Sequence, residues 1–281
     1  EVFIPLEMDQ SYANIKEGVE GGLADGYRNL FGLEFPGKTK VVESMIPSSY
    51  LMSGAEDMSH YLMTILNEGK YRDHRILSKD NAERLIKPLS NNSPYGVGWY
   101  YSGSYSWHTG EEPDYNGYMK VIPSGKLGIV MLCNTNDIVG KALAKDSSST
   151  RRIPEGIMDM LSGFELPEAP ALNMKMVYVI IDAFFLLMLL TVSFSLRRAW
   201  RQRKLPPKSR AYFIRNIFEV LLIHAALPVT LIVGIPYYFQ ATPPFFAINI
   251  PDFYAALVSI SLILVTSGFI KLRRLFRRSS F

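Results

Sequence analysis

The chain has 281 residues, with 30 Lys and Arg against 26 Asp and Glu, 48% hydrophobic residues and a mean hydropathy of +0.08. Apolar residues this plentiful exclude a disordered or collagen-like chain, and Cys133 alone can form no internal disulfide. The pI near 9.0 suggests nucleic acid, but residues 1–172 hold 16 basic and 23 acidic side chains while residues 173–281 hold 14 and 3. The basic part is also the apolar part, so no nucleic acid is expected as a partner and a lipid bilayer is.

Residue 1 is Glu, and Glu1-Val2-Phe3-Ile4-Pro5-Leu6 reads as the end of a helix meeting a proline. No charged n-region, apolar h-region or cleavage site precedes it, so the chain is expected to be the C-terminal piece of something longer. Ser53-Gly54-Ala55-Glu56 has capping-box form, and Met58, Tyr61, Leu62, Ile65 and Leu66 follow at helical spacing, with Gly69 as the stop. A second helix is predicted from Ser78, turning Ala82, Leu85 and Ile86 inward. The period then changes to that of strands at 95–101, 105–109, 115–122 and 127–134, separated by Gly, Pro, Asn and Ser turns. Connections this short predict an antiparallel meander. The run from Leu127 to Cys133 is apolar on both faces, so helices should cover both sides of it. A last helix is predicted over 153–161, and 166–175 reads as a linker. His60 and His74 have no metal-ligand partner at i+3 or i+4 and read as surface residues.

Three apolar spans follow, at about 176–196, 213–239 and 253–270, the first long enough to cross a hydrocarbon layer. The loop 197–215 and the tail after the third span are rich in Lys and Arg, whereas residues 237–252 carry neither. This bias places the basic loop and tail in the cytoplasm and residues 1–172 outside it, in a multi-pass protein of the cell membrane. Tyr237, Tyr238, Phe239, Phe245 and Phe246 fit an aromatic belt on the outer face. Asp182, Glu219 and His224 are the costly residues inside the spans. They are either functional groups or, for Asp182 and Glu219, side chains reaching the interface, with His224 bonding between helices.

Several segments of residues 1–165 together resemble the serine β-lactamase-like family, in its class C, penicillin-binding-protein-related branch. Phe3-Ile4-Pro5-Leu6-Glu7-Met8 looks like the family's F-x-PLGM segment, and Ser53 to Met58 like its S-x-A-x-D helix start. Tyr95-Gly96-Val97-Gly98-Trp99 is similar to YGLGW, His108-Thr109-Gly110 to the third active-site motif, and Leu127 to Asn134 to the LGVVVLTN strand after it. The resemblance implies an α+β fold: the C-terminal portion of a β-lactamase-like domain, an antiparallel sheet flanked by helices, followed by three transmembrane helices.

It also implies acyl transfer through a serine ester, with no metal or other cofactor. That chemistry needs a nucleophilic Ser, a Lys and a Tyr to carry protons, and two backbone N–H groups around the oxyanion. In the family these side chains come from S-x-x-K and Y-x-N, both N-terminal to the F-x-PLGM segment. No S-x-x-K occurs in these 281 residues. Tyr12-Ala13-Asn14 lies where the family has a surface stretch, and Ser90-Asn91-Asn92 lies in a loop, so neither is assigned to the site. The piece is therefore expected to be inert alone. By resemblance, His108 points into the cleft, Thr109 lines it, Gly110 allows close approach of substrate, and the Glu111 N–H serves as an oxyanion donor. A His in place of the Lys of many relatives, being mostly neutral at pH 7, and the carboxylates of Glu111 and Glu112 both favour a peptidase or esterase over penicillin hydrolysis. The expected partner is a peptide, ester or lactam small molecule. The alternative is a catalytically silent binding or sensor domain coupled to the membrane module, and protein partners are not legible.

Overall fold

The structure, a computed structural model, describes residues 2–37, 41, 43–46, 48–136, 149–164, 174–202 and 209–276. The chain divides into two compact units, Glu1–Asn29 with Glu34–Ala171 and Leu30–Leu33 with Leu172–Phe281. The fold is α+β, with an antiparallel sheet and three long apolar helices toward the C-terminus. The linker residues 166–173 and part of the basic loop and tail lie outside the described residues.

In the first unit, Ile4–Leu6 forms a single 3-10 turn with Pro5 inside it, where the sequence suggested the end of a helix. Helix α1 is Ile15–Glu20, and the side chain of Asn14 caps it by accepting from Lys16 N–H. The Asn of the Y-x-N sequence is thus used locally. Strands β1 (Tyr27–Leu30) and β2 (Leu33–Pro36) come next, then helix α2 (Ala55–Leu66). The capping box expected at Ser53 is not formed, because Gly54 takes the cap position. Ser53 Oγ lies 2.7 Å from Ser11 Oγ, and buried Asp57 accepts from Gln10 N–H and Ser11 Oγ, both at 2.8 Å. The motif fastens the start of the chain to α2. His60 does likewise, its Nδ1 2.9 Å from the Leu6 carbonyl and its ring against Tyr71, so it is more than a surface residue.

A short hairpin pairs β3 (Lys70–Tyr71) with β4 (His74–Arg75). Helix α3 (Lys79–Leu85) starts at the expected Ser78, whose Oγ accepts from Asn81 N–H, and it buries Ala82. The meander follows as β5 (Tyr100–Tyr101), β6 (Ser106–Glu112), β7 (Tyr115–Ile122) and β8 (Leu127–Cys133), antiparallel in that order. The first strand is far shorter than expected, because residues 95–99 form a turn. A two-residue strand β9 (Thr135–Asn136) pairs in parallel with β1.

Helices cover both faces of the meander, as the apolar β8 requires. Leu62 and Leu66 of α2 lie over Gly128, in a core of Leu62, Ile65, Ile86, Trp99 and Val121. Helix α4 (Ser149–Leu161) covers the other face, where Tyr118 Oη donates to Glu155 at 3.1 Å and Arg151 lies over Trp107. Burial beside the Glu155 carboxylate pushes the Tyr118 phenol well above the ordinary tyrosine range.

The second unit contains helices α5 (Met174–Gln202), α6 (Arg210–Tyr238), α7 (Pro243–Asn249) and α8 (Pro251–Phe276). Three of them, α5, α6 and α8, are long and apolar enough to cross a membrane. Within α6, π-helical turns at Val220–Ala226 and Thr230–Gly234 flank Pro228, whose missing N–H interrupts the regular ladder. Phe246, expected in the aromatic belt, is instead buried against Phe239 and Phe253. His224 bonds between helices, its Nδ1 2.9 Å from the Leu264 carbonyl, and Gly268 makes this approach possible because a Cβ there would strike His224. Glu219 is paired with Lys271 at 2.6 Å, and the same ammonium lies 3.0 Å from His224 Nε2.

Candidate active site

Strand β6 carries the four expected site residues, and its pairing fixes where they face. His108 lies opposite Met119, Thr109 opposite Tyr118, Gly110 opposite Gly117 and Glu111 opposite Asn116. Side chains alternate along a strand, so Ser106, His108, Gly110 and Glu112 share one face. That is the α2 face, since Val121, the partner of Ser106, belongs to the core under α2. Trp107, Thr109 and Glu111 share the α4 face. The side chains of His108 and Thr109 are therefore on opposite sides of the strand.

The other edge of β6 begins beside β5. Strand β5 pairs with Ser106 and Trp107 alone.

His108 is half-buried in an aromatic setting. Its Nε2 lies 3.0 Å from Tyr95 Oη, and its ring is nearly parallel to that of Tyr100, centroids 5.9 Å apart. Tyr95 meets the Tyr100 ring edge-on at 4.6 Å. Burial pushes the His108 imidazole below the ordinary histidine range, so it is neutral at pH 7.

Tyr95 is held by the turn that opens Tyr95-Gly96-Val97-Gly98-Trp99. Its N–H donates to Ser93 Oγ at 3.2 Å, and Gly96 N–H donates to the Trp99 carbonyl at 2.7 Å. Gly96 presses against the Lys87 carbonyl, where a Cβ would collide. Trp99 is 1% exposed and anchors the turn in the core, its indole N–H 3.4 Å from Tyr61 Oη. Sequence reasoning reads Tyr95 as a strand residue and misses its role. The two glycines of the motif were the available signal for a turn.

At the far end of β6, Gly110 is exposed, and a Cβ built there meets nothing within 4 Å. Glu111 is exposed. Half-buried Glu112 is bonded to the Tyr50 hydroxyl, a second partner that sequence reasoning misses. Burial raises the Glu112 carboxyl above the ordinary range and Asp114 adds to this, against the opposing Tyr50 bond. The turn after β6 is fastened by Asp114, 1% exposed and paired with Arg28 through Nε at 2.7 Å and the guanidinium nitrogen at 2.6 Å. Asn136 donates to the Glu112 carbonyl at 2.7 Å. No group of three or more metal-ligating side chains occurs among the described residues. The arrangement offers a neutral imidazole and open space over Gly110.

Residues 1–147 match the Beta-lactamase family. Among curated proteins, Protein flp of Staphylococcus aureus (strain MW2) is 29% identical over 117 residues, covering 38% of this chain and 23% of that protein. N-acetylmuramyl-L-alanine amidase of Bacillus subtilis (strain 168) is 28% identical over 120 residues, covering 42% and 26%. The matched stretch thus spans about a quarter of the length of these relatives. Among solved structures, the octameric penicillin-binding protein homologue from Pyrococcus abyssi aligns with TM-score 0.45 at 25% identity, over 59% of this chain and 37% of that one. Beta-lactamase/D-alanine carboxypeptidase from Pseudomonas syringae aligns with TM-score 0.36 at 14% identity, over 53% and 52%.

Proposed function

We propose, from the premise that this chain belongs to the beta-lactamase family, that the whole protein is a membrane-anchored serine hydrolase working through an acyl-enzyme. The observation that carries this is the half-buried His108, its Nε2 3.0 Å from Tyr95 Oη, on the same strand as Gly110, where open space stands in place of a Cβ. Acyl transfer needs a serine nucleophile and its proton acceptors, which the family takes from S-x-x-K and Y-x-N. In this proposal they lie N-terminal to residue 1, and β6 is the opposite wall of the pocket.

Each β6 residue then has a task. His108 offers a hydrogen bond to substrate. Gly110 leaves room for the substrate backbone to run along the strand edge, and the Glu111 N–H completes the oxyanion site. Thr109 contributes backbone to the wall, since alternation turns its side chain away. A neutral imidazole holds a substrate carboxylate less firmly than an ammonium would, which favours peptidase or esterase chemistry over penicillin hydrolysis. One relative is named N-acetylmuramyl-L-alanine amidase, which favours amides of cell-wall peptides. Lys and Arg bias places the loop between the first two spans and the tail in the cytoplasm, and the hydrolase domain outside it.

The test is to treat membranes bearing the full-length protein with a fluorophosphonate and a fluorescent penicillin, and to locate the adduct by mass spectrometry. The proposal expects fluorophosphonate on one serine, lost on mutating that serine and reduced about 10-fold or more by His108→Ala. Labelling by neither probe supports a silent binding domain instead.

A further inference from the structure

We propose that Tyr95 is a positioning residue that fixes the His108 tautomer, so that the imidazole presents Nδ1–H to the pocket and acts there as a donor rather than a base. This rests on the hydrolase reading for its consequence in catalysis, but not for its test. The two rings are joined at Nε2, 3.0 Å from the Tyr95 hydroxyl. A neutral imidazole has one N–H and one acceptor nitrogen, and the bond at one nitrogen decides which is which. A phenolic O–H is a stronger donor than a neutral imidazole N–H, so the favoured arrangement has Tyr95 donating and Nε2 accepting. The proton is then on Nδ1, which has no protein partner among the described residues.

The surroundings keep this arrangement in place. The Tyr100 ring lies nearly parallel to His108 and edge-on to Tyr95, limiting rotation of both. The turn bearing Tyr95 is tied to the core through Trp99 and held at Gly96. Burial keeps the imidazole neutral, which a fixed tautomer requires. The consequence is specific: with its lone pair engaged by Tyr95, His108 cannot remove a proton from a nucleophile. It favours instead a substrate oxygen, a carbonyl or carboxylate, at that point of the pocket.

The test uses the full chain in detergent micelles or nanodiscs, labelled with 15N-histidine. There are four histidines, and His108→Ala identifies the His108 signals. His60 and His224 serve as internal references, since each has Nδ1 2.9 Å from a carbonyl oxygen and must carry its proton there. The proposal expects wild-type His108 to show a protonated Nδ1 and an accepting Nε2. Tyr95→Phe should shift the tautomer ratio toward Nε2–H about fivefold, the factor equal to one net neutral hydrogen bond. A wild-type His108 protonated on Nε2, or a ratio unchanged by Tyr95→Phe, overturns it. The wild-type measurement decides the question even if the variant fails to fold. If the tautomer is as expected while His108→Ala labels like wild type, the hydrolase role of His108 fails and the positioning role of Tyr95 stands.

Discussion

Replacing Gly110 by Ala separates a structural role for β6 from a functional one. Gly110 lies mid-strand opposite Gly117, has no positive φ, and offers open space where a Cβ would stand. The methyl group meets no clash, and Ala loses less backbone entropy on folding than Gly, a gain of about 0.5–1 kcal/mol. For a unit of this size that raises Tm by roughly 1–4 °C. The same methyl occupies the space that the proposal reserves for the substrate backbone. A displacement of about 1 Å at a reacting centre lowers rate on the order of 100-fold, so fluorophosphonate labelling of Gly110→Ala should slow by about that factor. The assay is a thermal melt and a labelling time course on the same full-length preparation. Labelling at the wild-type rate with stability kept would show that substrate does not approach Gly110. A loss of more than about 1 kcal/mol would show that the space is not open, and the reasoning would fail at its first step.

Asp114→Ala removes the buried partner of Arg28. Breaking a buried pair costs about 3–5 kcal/mol, and Arg28 is 22% exposed, so about 2–3 kcal/mol is expected from urea unfolding, against which a change below about 0.5 kcal/mol would count. The depressed His108 pKa gives a signed pH dependence. The unfolded chain takes up its proton first, so this contribution to stability is present above about pH 6.5 and is lost as pH falls through the lower folded value. His108→Gln should flatten the acid limb of the stability profile, and an unchanged limb would contradict the burial argument. Single cysteines placed at residues 204 and 240 in a Cys133→Ser background should react with an impermeant maleimide from opposite sides of the membrane, the second from outside. The reverse pattern would invert the proposed topology.

What the sequence disclosed follows physical range. Ser78 was legible as a cap because its partner, Asn81 N–H, is three residues away. Ser53 looked equally local, as the start of a capping box with Glu56, but it reaches Ser11, and the neighbouring Asp57 binds Ser11 and Gln10, all more than 40 residues away. The β-rich residues 95–99 promised a strand, and the two glycines with buried Trp99 made a turn. The β1–β9 pairing is too short to leave a periodic signal. The apolar spans were legible from hydropathy, which needs no partner, whereas the Glu219–Lys271 pair joins residues 52 positions apart. At the candidate site, the sequence could place His108 and Thr109 on a strand. The Tyr95 and Tyr50 hydroxyls could not be named in advance, because each comes from a separate loop.

A structure of the full-length protein carrying a covalent phosphonate bears most directly on whether β6 bounds an acylation pocket. The account predicts the phosphoryl oxygen within hydrogen-bond distance of the Glu111 N–H, about 2.7–3.2 Å, with the inhibitor running past Gly110 beside the His108 ring. An adduct on a serine remote from β6, with His108 touching no part of the inhibitor, would contradict it.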